Sequence, residues 1–183
     1  MRRKYLNMGP YYYMKTKYKI LIGFAGLILI SCFFYVVGWF LAPGSYARAE
    51  IYQLDISEDS LIQVIRDFKN ENPDLVLIKP VYIPNGPAYY LMDGRSDSAD
   101  YWYHIYFYYP DKNQIVSTWI RKDTRKTTQF AFVALNNGLT LGNWITVNES
   151  YWWWKNKPIK EEFEHRILKK LENKIKEQKN NTR

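Results

Sequence analysis

The residues best able to do chemistry in this chain are two histidines, His104 and His165, three aspartates within the stretch DGRSDSAD (Asp93, Asp97 and Asp100), and one cysteine, Cys32. A histidine serves as a general base when an acid orients one ring nitrogen and a nucleophile or water meets the other. The sequence sets no such partner beside either one. His104 lies in the aromatic run YWYHIYFYY and reads as a strand residue, and His165 reads as a solvated position on a C-terminal helix. The three aspartates offer oxygens of the kind that hold calcium, but not at the spacing of a calcium loop, and they read as a solvated hairpin loop. No G-x-S-x-G, H-E-x-x-H, C-x-x-C or phosphate-cradling glycine loop occurs. A carboxylate pair for glycoside hydrolysis depends on a separation in space that chain spacing does not encode. No catalytic residue, metal site or cofactor is therefore expected.

Cys32 carries the one specific local motif. Leu29-Ile30-Ser31-Cys32 has the form of a lipobox, after which the chain would be cut and the new N-terminal cysteine acylated. Its surroundings argue otherwise. The apolar run extends over 23 residues, from Ile20 to Ala42, and no charge occurs from Ile20 to Ala47. As a helix it would cover about 34 Å at ~1.5 Å per residue, enough for a ~30 Å hydrocarbon core. The apolar core of a signal peptide is about 7–15 residues long and ends at its cleavage site. Cys32 instead sits mid-run, followed by Phe33, Phe34, Tyr35, Val36 and Val37 rather than a polar tether. Residues 20–42 therefore read as an uncleaved transmembrane signal anchor embedded in lipid, with a lipoprotein acylated at Cys32 as the alternative. Trp39 and Phe40 suit an interfacial aromatic belt, and Tyr11, Tyr12 and Tyr13 the inner headgroup level.

Charge sets the orientation. Residues 1–19 hold six Lys/Arg and no acid, whereas the segment after the run opens with Arg48, Glu50, Asp55, Glu58 and Asp59. The positive-inside bias places the basic arm in the cytoplasm and the C-terminal domain outside the cytoplasmic (inner) membrane, in the periplasm. The net charge of +8 divides into +6 for residues 1–19, −3 for 48–154 and +5 for 155–183. A nucleic-acid domain carries positive charge on its folded body, and this body is acidic, so no nucleic-acid partner is expected. With its only cysteine in the apolar run, the exported part has no disulfide and must rely on its core. An aromatic content of 18% supplies material for one.

The elements that would position these residues follow from the pattern. After a linker at 43–50 the exported domain occupies 51–178, with a frayed tail at 179–183. A short strand at 49–54 precedes a helix capped by Ser57 or Asp55, with Leu61, Ile62, Val64, Ile65 and Phe68 on one face and Asn72-Pro73 at its end. Strands are expected at 75–83 and 88–92, although Pro80 marks the first as an edge or a bulge. The segment 101–121 reads as a hairpin turning at Pro110-Asp111-Lys112-Asn113, and strands at 127–135 and 139–148 flank Asn136-Asn137-Gly138. A helix from Pro158 to Gln178 carries the stripe Ile159, Phe163, Ile167, Leu168, Leu171 and Ile175. This order predicts an α+β fold, an antiparallel sheet of four to six strands with two helices on one face.

The aromatic strand poses a problem of its own. Tyr101, Tyr103, Ile105, Phe107 and Tyr109 alternate with Trp102, His104, Tyr106 and Tyr108, so both faces are rich in rings. The set containing Ile105 and Phe107 is the more apolar and should face the helices. Trp102, Tyr106, Tyr108, Trp119 and Trp144 would then form an open platform, joined by Trp152 and Trp154 from SYWWWKNKP, unless a further layer or a membrane surface covers them. Platforms of Tyr and Trp serve protein interfaces. The expected function is a membrane-anchored, non-enzymatic binding protein facing a protein partner outside the cytoplasm, such as an immunity protein against an envelope-acting toxin or an assembly accessory subunit. The competing expectation is an envelope glycan binder or glycan-acting enzyme, which would use the rings for stacking and Asp93, Asp97, Asp100 or His104 for chemistry.

Intact mass of the chain purified from membranes checks the first reading. The expected result is the full 22.0 kDa chain; a shorter chain beginning at an acylated Cys32 would replace the anchor by a lipoprotein.

Overall fold

A helix with apolar side chains all round has no face to give to water. The structure, a computed structural model, describes residues 16–41, 48–97 and 100–181, and its first element, α1 (Thr16–Leu41), is such a helix. Its stretch Lys17–Gly38, 22 residues, is long and apolar enough to cross a membrane. Leu21, Phe24, Leu29, Phe33 and Phe34 all stand exposed around it, which is favourable only in hydrocarbon. Tyr11, Tyr12, Tyr13 and residues 42–47 fall outside the described residues, as do the side chains of Trp39 and Phe40. The chain separates into two compact units, 1–47 and 48–183.

The second unit is α+β. Its sheet runs β1 (Glu50–Leu54), β6 (Thr128–Asn137), β5 (Gln114–Lys122), β4 (Tyr103–Tyr109) in spatial order, all antiparallel. The three-residue strand β7 (Trp144–Thr146) pairs with Ala134–Asn136, so β1 and β7 lie end to end along one edge of β6. A separate ribbon pairs β2 (Val81–Tyr82) with β3 (Ala88–Tyr89).

Helix α2 (Glu58–Glu71) starts at Ser57, whose hydroxyl accepts from the Ser60 amide, and Glu58 and Asp59 complement its first turn. It buries Leu61, Val64, Ile65 and Phe68. The C-terminal helix comprises α3 (Trp153–Phe163), a π turn (Glu164–Leu168) and α4 (Lys169–Asn181). It begins earlier than its proline suggests and continues past residue 178. Pro158 lies inside α3, where it offers no donor to the Trp154 carbonyl. The π turn has a packing reason. Ile159, Phe163, Ile167, Leu171 and Ile175 recur every four residues, a spacing that drifts around a 3.6-residue helix. One widened turn brings the row back into line, and Phe163, Ile167, Leu171 and Ile175 are all buried in one core.

That core lies between these helices and one sheet face, where Ile105, Phe107, Val116, Ile120, Phe130 and Phe132 point. Phe163 is its pin, stacked on Phe132 at 4.3 Å and 13° and flanked by Phe130 and Tyr52. The opposite sheet face is covered as well. Leu77 and Val81 pack on Tyr108 and Ile115, with Leu91, Leu139 and Leu141 alongside. The expected strand at 75–83 is instead a 3-10 turn (Pro73–Leu75) leading into β2, because the chain here must cross over the sheet rather than join it. The expected strand at 139–148 shrinks to β7 for a different reason. The buried Asn136 amide donates to the Gly138 and Thr140 carbonyls and accepts from the Asn143 N–H, holding 138–143 as a loop.

The β4–β5 turn is fastened to the C-terminal helix by charge. Arg166 grips the Asp111 carboxylate with both terminal nitrogens at 2.7 and 2.6 Å, reaches Glu162 at 3.2 Å and lies over the Tyr109 ring. Hydrogen bonds from Arg166 hold the Asp111 carboxyl down from 3.8 to about 2, and burial pushes the Tyr109 hydroxyl up. A carboxyl with a lowered folded-state pKa stabilises the fold fully above its unfolded value and loses that contribution as pH falls through the folded one. The denaturation midpoint of the detergent-solubilised chain should therefore fall more steeply between about pH 4 and pH 2 in the parent than in Asp111→Asn. Parallel acid limbs in the two proteins would remove Asp111 from this role. Phe163→Ala, which empties the centre of the core, should cost about 3–5 kcal/mol in the same measurement.

Candidate functional site

The sheet face opposite the helices holds most of the residues expected to form a platform. The β4–β5 register sets His104 beside Trp119, Tyr106 beside Ser117 and Tyr108 beside Ile115. Trp102 folds over Trp119 at a centroid distance of 4.0 Å, and the Arg121 guanidinium lies 4.6 Å from the Trp102 ring and 5.1 Å from that of Tyr101. Trp119 is in consequence only 1% exposed, and Tyr108 is buried under Leu77 and Val81. The open platform is thus corrected at these two residues, which are layers beneath a cover. Trp102 and Tyr106 remain half-buried at its margin.

The covering strap, residues 76–95, is itself fastened by the acids considered for chemistry. Asp93 accepts from the Lys69 ammonium at 2.5 Å and from the Tyr106 N–H at 3.0 Å, while Lys69 also donates to the Tyr106 carbonyl. Burial lowers the Lys69 pKa, and Asp93 works in the opposite direction. Gly94 and His104 exchange backbone hydrogen bonds, closing part of the β4 edge. Asp100 accepts from the Trp102 and Ser96 amides, and these bonds lower its pKa. Its second oxygen stands 3.5 Å from His104 Nε2, so His104 does have an acid beside it, four residues back across the loop. Arg95 ties the same loop to Glu58 of α2. Among the described residues, no group of three His, Cys, Asp or Glu is placed to share a metal ion.

A cavity of about 200 Å³ lies between α2 and β4, lined by Ile62, Ile65, Arg66, Asp93, Tyr103 and Ile105. It is smaller than the ~300–1,000 Å³ of ordinary small-molecule sites. A shallower one of about 220 Å³ lies between Gln53–Asp55 and the lysine-bearing end of α4.

Exposed apolar side chains concentrate elsewhere. The strap alternates, with Leu77, Val81 and Leu91 turned inward and Ile78, Tyr82, Tyr90 and Met92 outward, Met92 at 80% exposure. Pro80, Pro84 and Pro87 interrupt this alternation, which is why it did not register as a surface in the sequence. Trp144 and Ile145 of β7 are partly exposed, and Trp152 and Trp154 about half exposed, near Trp153 and Tyr151. Trp152 and Trp154 touch one another at 4.8 Å but belong to a loop and helix start, not to the sheet. Comparison of the chain with protein-family models, curated proteins and solved structures gives no match.

Removing Asp93 would leave the largely buried Lys69 cation without its carboxylate. Asp93→Ala should lower stability by about 1–3 kcal/mol, and adding Lys69→Met should recover part of that loss. Additive losses in the double mutant would show that the pair does not hold the strap.

Proposed function

We propose that this protein is a membrane-anchored, non-enzymatic binding protein. In this reading α1 fixes it in the cytoplasmic membrane with the basic arm inside, and its folded domain receives a protein partner on the outer side. The carrying observation is the outward row Ile78, Tyr82, Tyr90 and Met92 on a strap that hydrogen bonds and an ion pair hold in place. Apolar surface presented on a preorganised segment is what a protein interface requires. Tyr106 packs against the strap's inward cluster, and Trp102 lies half-buried over Trp119. The acids of 93–100 support the same reading, since Asp93 and Asp100 are engaged in holding the loop. An immunity protein against an envelope toxin and an assembly accessory subunit are narrower forms of this proposal.

One observation favours a second reading, a glycan-binding or glycan-acting protein. The Asp100–His104 couple stands next to Trp102, and a ring beside an oriented histidine suits a sugar.

Crosslinked capture from membranes, with a C-terminal tag, separates the two. A stoichiometric protein should be recovered with the parent chain, be lost with Met92→Asp or Trp102→Ala, and persist with Asp97→Asn and His104→Gln. Recovery of no protein, together with loss of glycan retention in His104→Gln, would transfer the function to the second reading.

A further inference from the structure

Four consecutive aromatic residues, Tyr151, Trp152, Trp153 and Trp154, stand out from the folded unit, with Tyr151 91% and Trp153 69% exposed. Their rings touch in series: Tyr151 on Trp152 at 5.4 Å, Trp152 on Trp154 at 4.8 Å, and Trp153 on Trp154 at 6.1 Å. Such a cluster in water is unfavourable unless something covers it. It is nevertheless built with care. Asn156, a buried amide, accepts from the Ser150 N–H at 3.1 Å and donates to the Ser150 carbonyl at 2.9 Å, which closes 150–156 into a fixed loop. The Ser150 hydroxyl accepts from the Trp152 amide, and Lys155 bonds back to the Trp152 carbonyl. The segment is thus held with its rings outward.

Two further observations say what covers it. The first is where the loop lies in the folded unit. The Asn148 amide donates to the Arg48 carbonyl at 3.1 Å, and Asn148 Nδ2 and Lys160 Nζ both reach Glu50. The loop is therefore flanked on both sides by residues fastened to the point where the unit begins. Arg48 is seven residues beyond Leu41, the last residue of α1. At ~3.5 Å per residue the chain between them spans at most about 25 Å, whatever conformation it takes. The second observation is charge: Lys155 and Lys157 are exposed in the same first turns of α3 as Trp153 and Trp154, Lys157 lying 3.4 Å from Glu161. Tryptophan and tyrosine favour the headgroup level of a bilayer, and lysine there meets lipid phosphate.

We infer that residues 151–157 are a second membrane contact, an interfacial loop that inserts Tyr151, Trp152, Trp153 and Trp154 at the headgroup level of the leaflet from which α1 emerges. Tethering supplies the affinity, because a bilayer within reach of a short linker is present at high effective concentration and a modest interfacial preference is enough. Trp152 and Trp154 then belong to lipid, and the protein partner is left the strap and the sheet margin. This inference rests on α1 spanning the membrane.

The test places a polarity-sensitive fluorophore at single cysteines in full-length Cys32→Ser protein, reconstituted in phosphatidylcholine–phosphatidylglycerol vesicles. The positions are Leu29→Cys in the span, Tyr151→Cys in the loop and Met92→Cys on the strap. Nitroxide lipids labelled at the headgroup and deep in the acyl chain are the quenchers. The expected outcome is a blue shift and loss of emission with headgroup nitroxide at position 151, an unchanged signal at 92 and loss with deep nitroxide at 29. Unchanged emission at 151, or equal quenching at 151 and 92, overturns the inference. Position 29 reports the anchor separately, so its failure is not confused with that of the loop. Adding Trp152→Ser and Trp154→Ser should weaken the quenching at 151 while leaving the denaturation midpoint close to that of the parent, since both rings are already half exposed.

Discussion

The strands β4 and β5 carry large side chains on both faces, and the rest of the folded unit is arranged to keep water from either. On one face the C-terminal helix and α2 close over Ile105, Phe107, Phe130 and Phe132, with Phe163 set at the centre. On the other face no helix is available, and the chain uses an irregular strap between α2 and β4. A strap has few hydrogen bonds of its own to hold it. Asp93, Lys69 and the backbone of Gly94 supply them by fastening it to the outer edge of β4. The same bonds satisfy edge groups that would otherwise invite pairing with another strand.

Much of this was legible in the chain. Seamless apolarity announces α1, the spacing of Leu61, Val64, Ile65 and Phe68 with Ser57 before them announces α2, and the β4–β5 hairpin follows from its alternation and its turn. The facing of Ile105 and Phe107 toward the helices also follows from composition alone. What was not legible has particular causes. Leu77 and Val81 are four residues apart, a spacing that suits a strand and a helix alike, and Pro80 lies between them, so nothing marks them as the cover for Tyr108. Asn136 looks like half of a turn and is in fact a buried clamp on the next loop. Trp152, Trp153 and Trp154 invite a strand reading by alternation, but a helix begins at Trp153 because Asn156 fixes the segment just before it. The acid beside His104 was four residues away in sequence, and only the turn of the loop brings Asp100 back to it.

The two kinds of exposed apolar surface differ in how they are made. The strap's outward residues are the necessary complement of its inward ones, since a two-sided segment covering a sheet must turn something to solvent. The aromatic loop at 151–154 covers little of the core and stands out from it, although a buried amide is committed to its shape. This difference is the reason for assigning them different occupants.

Glu50 has a mechanical consequence. It is the first residue of β1 and receives bonds from Asn148 and Lys160, while the preceding Arg48 carbonyl is held by the Asn148 amide. Any tension that reaches the folded unit along the chain from its N-terminal side is delivered here. A pull along β1 loads its ladder with β6 in shear, across all of its paired residues together, instead of peeling them one by one. The clamp from Asn148 and Lys160 shares that load with the loop and helix behind it. The unit is thus reinforced at its attachment, like a cable gripped by a strain relief before it reaches its first connection.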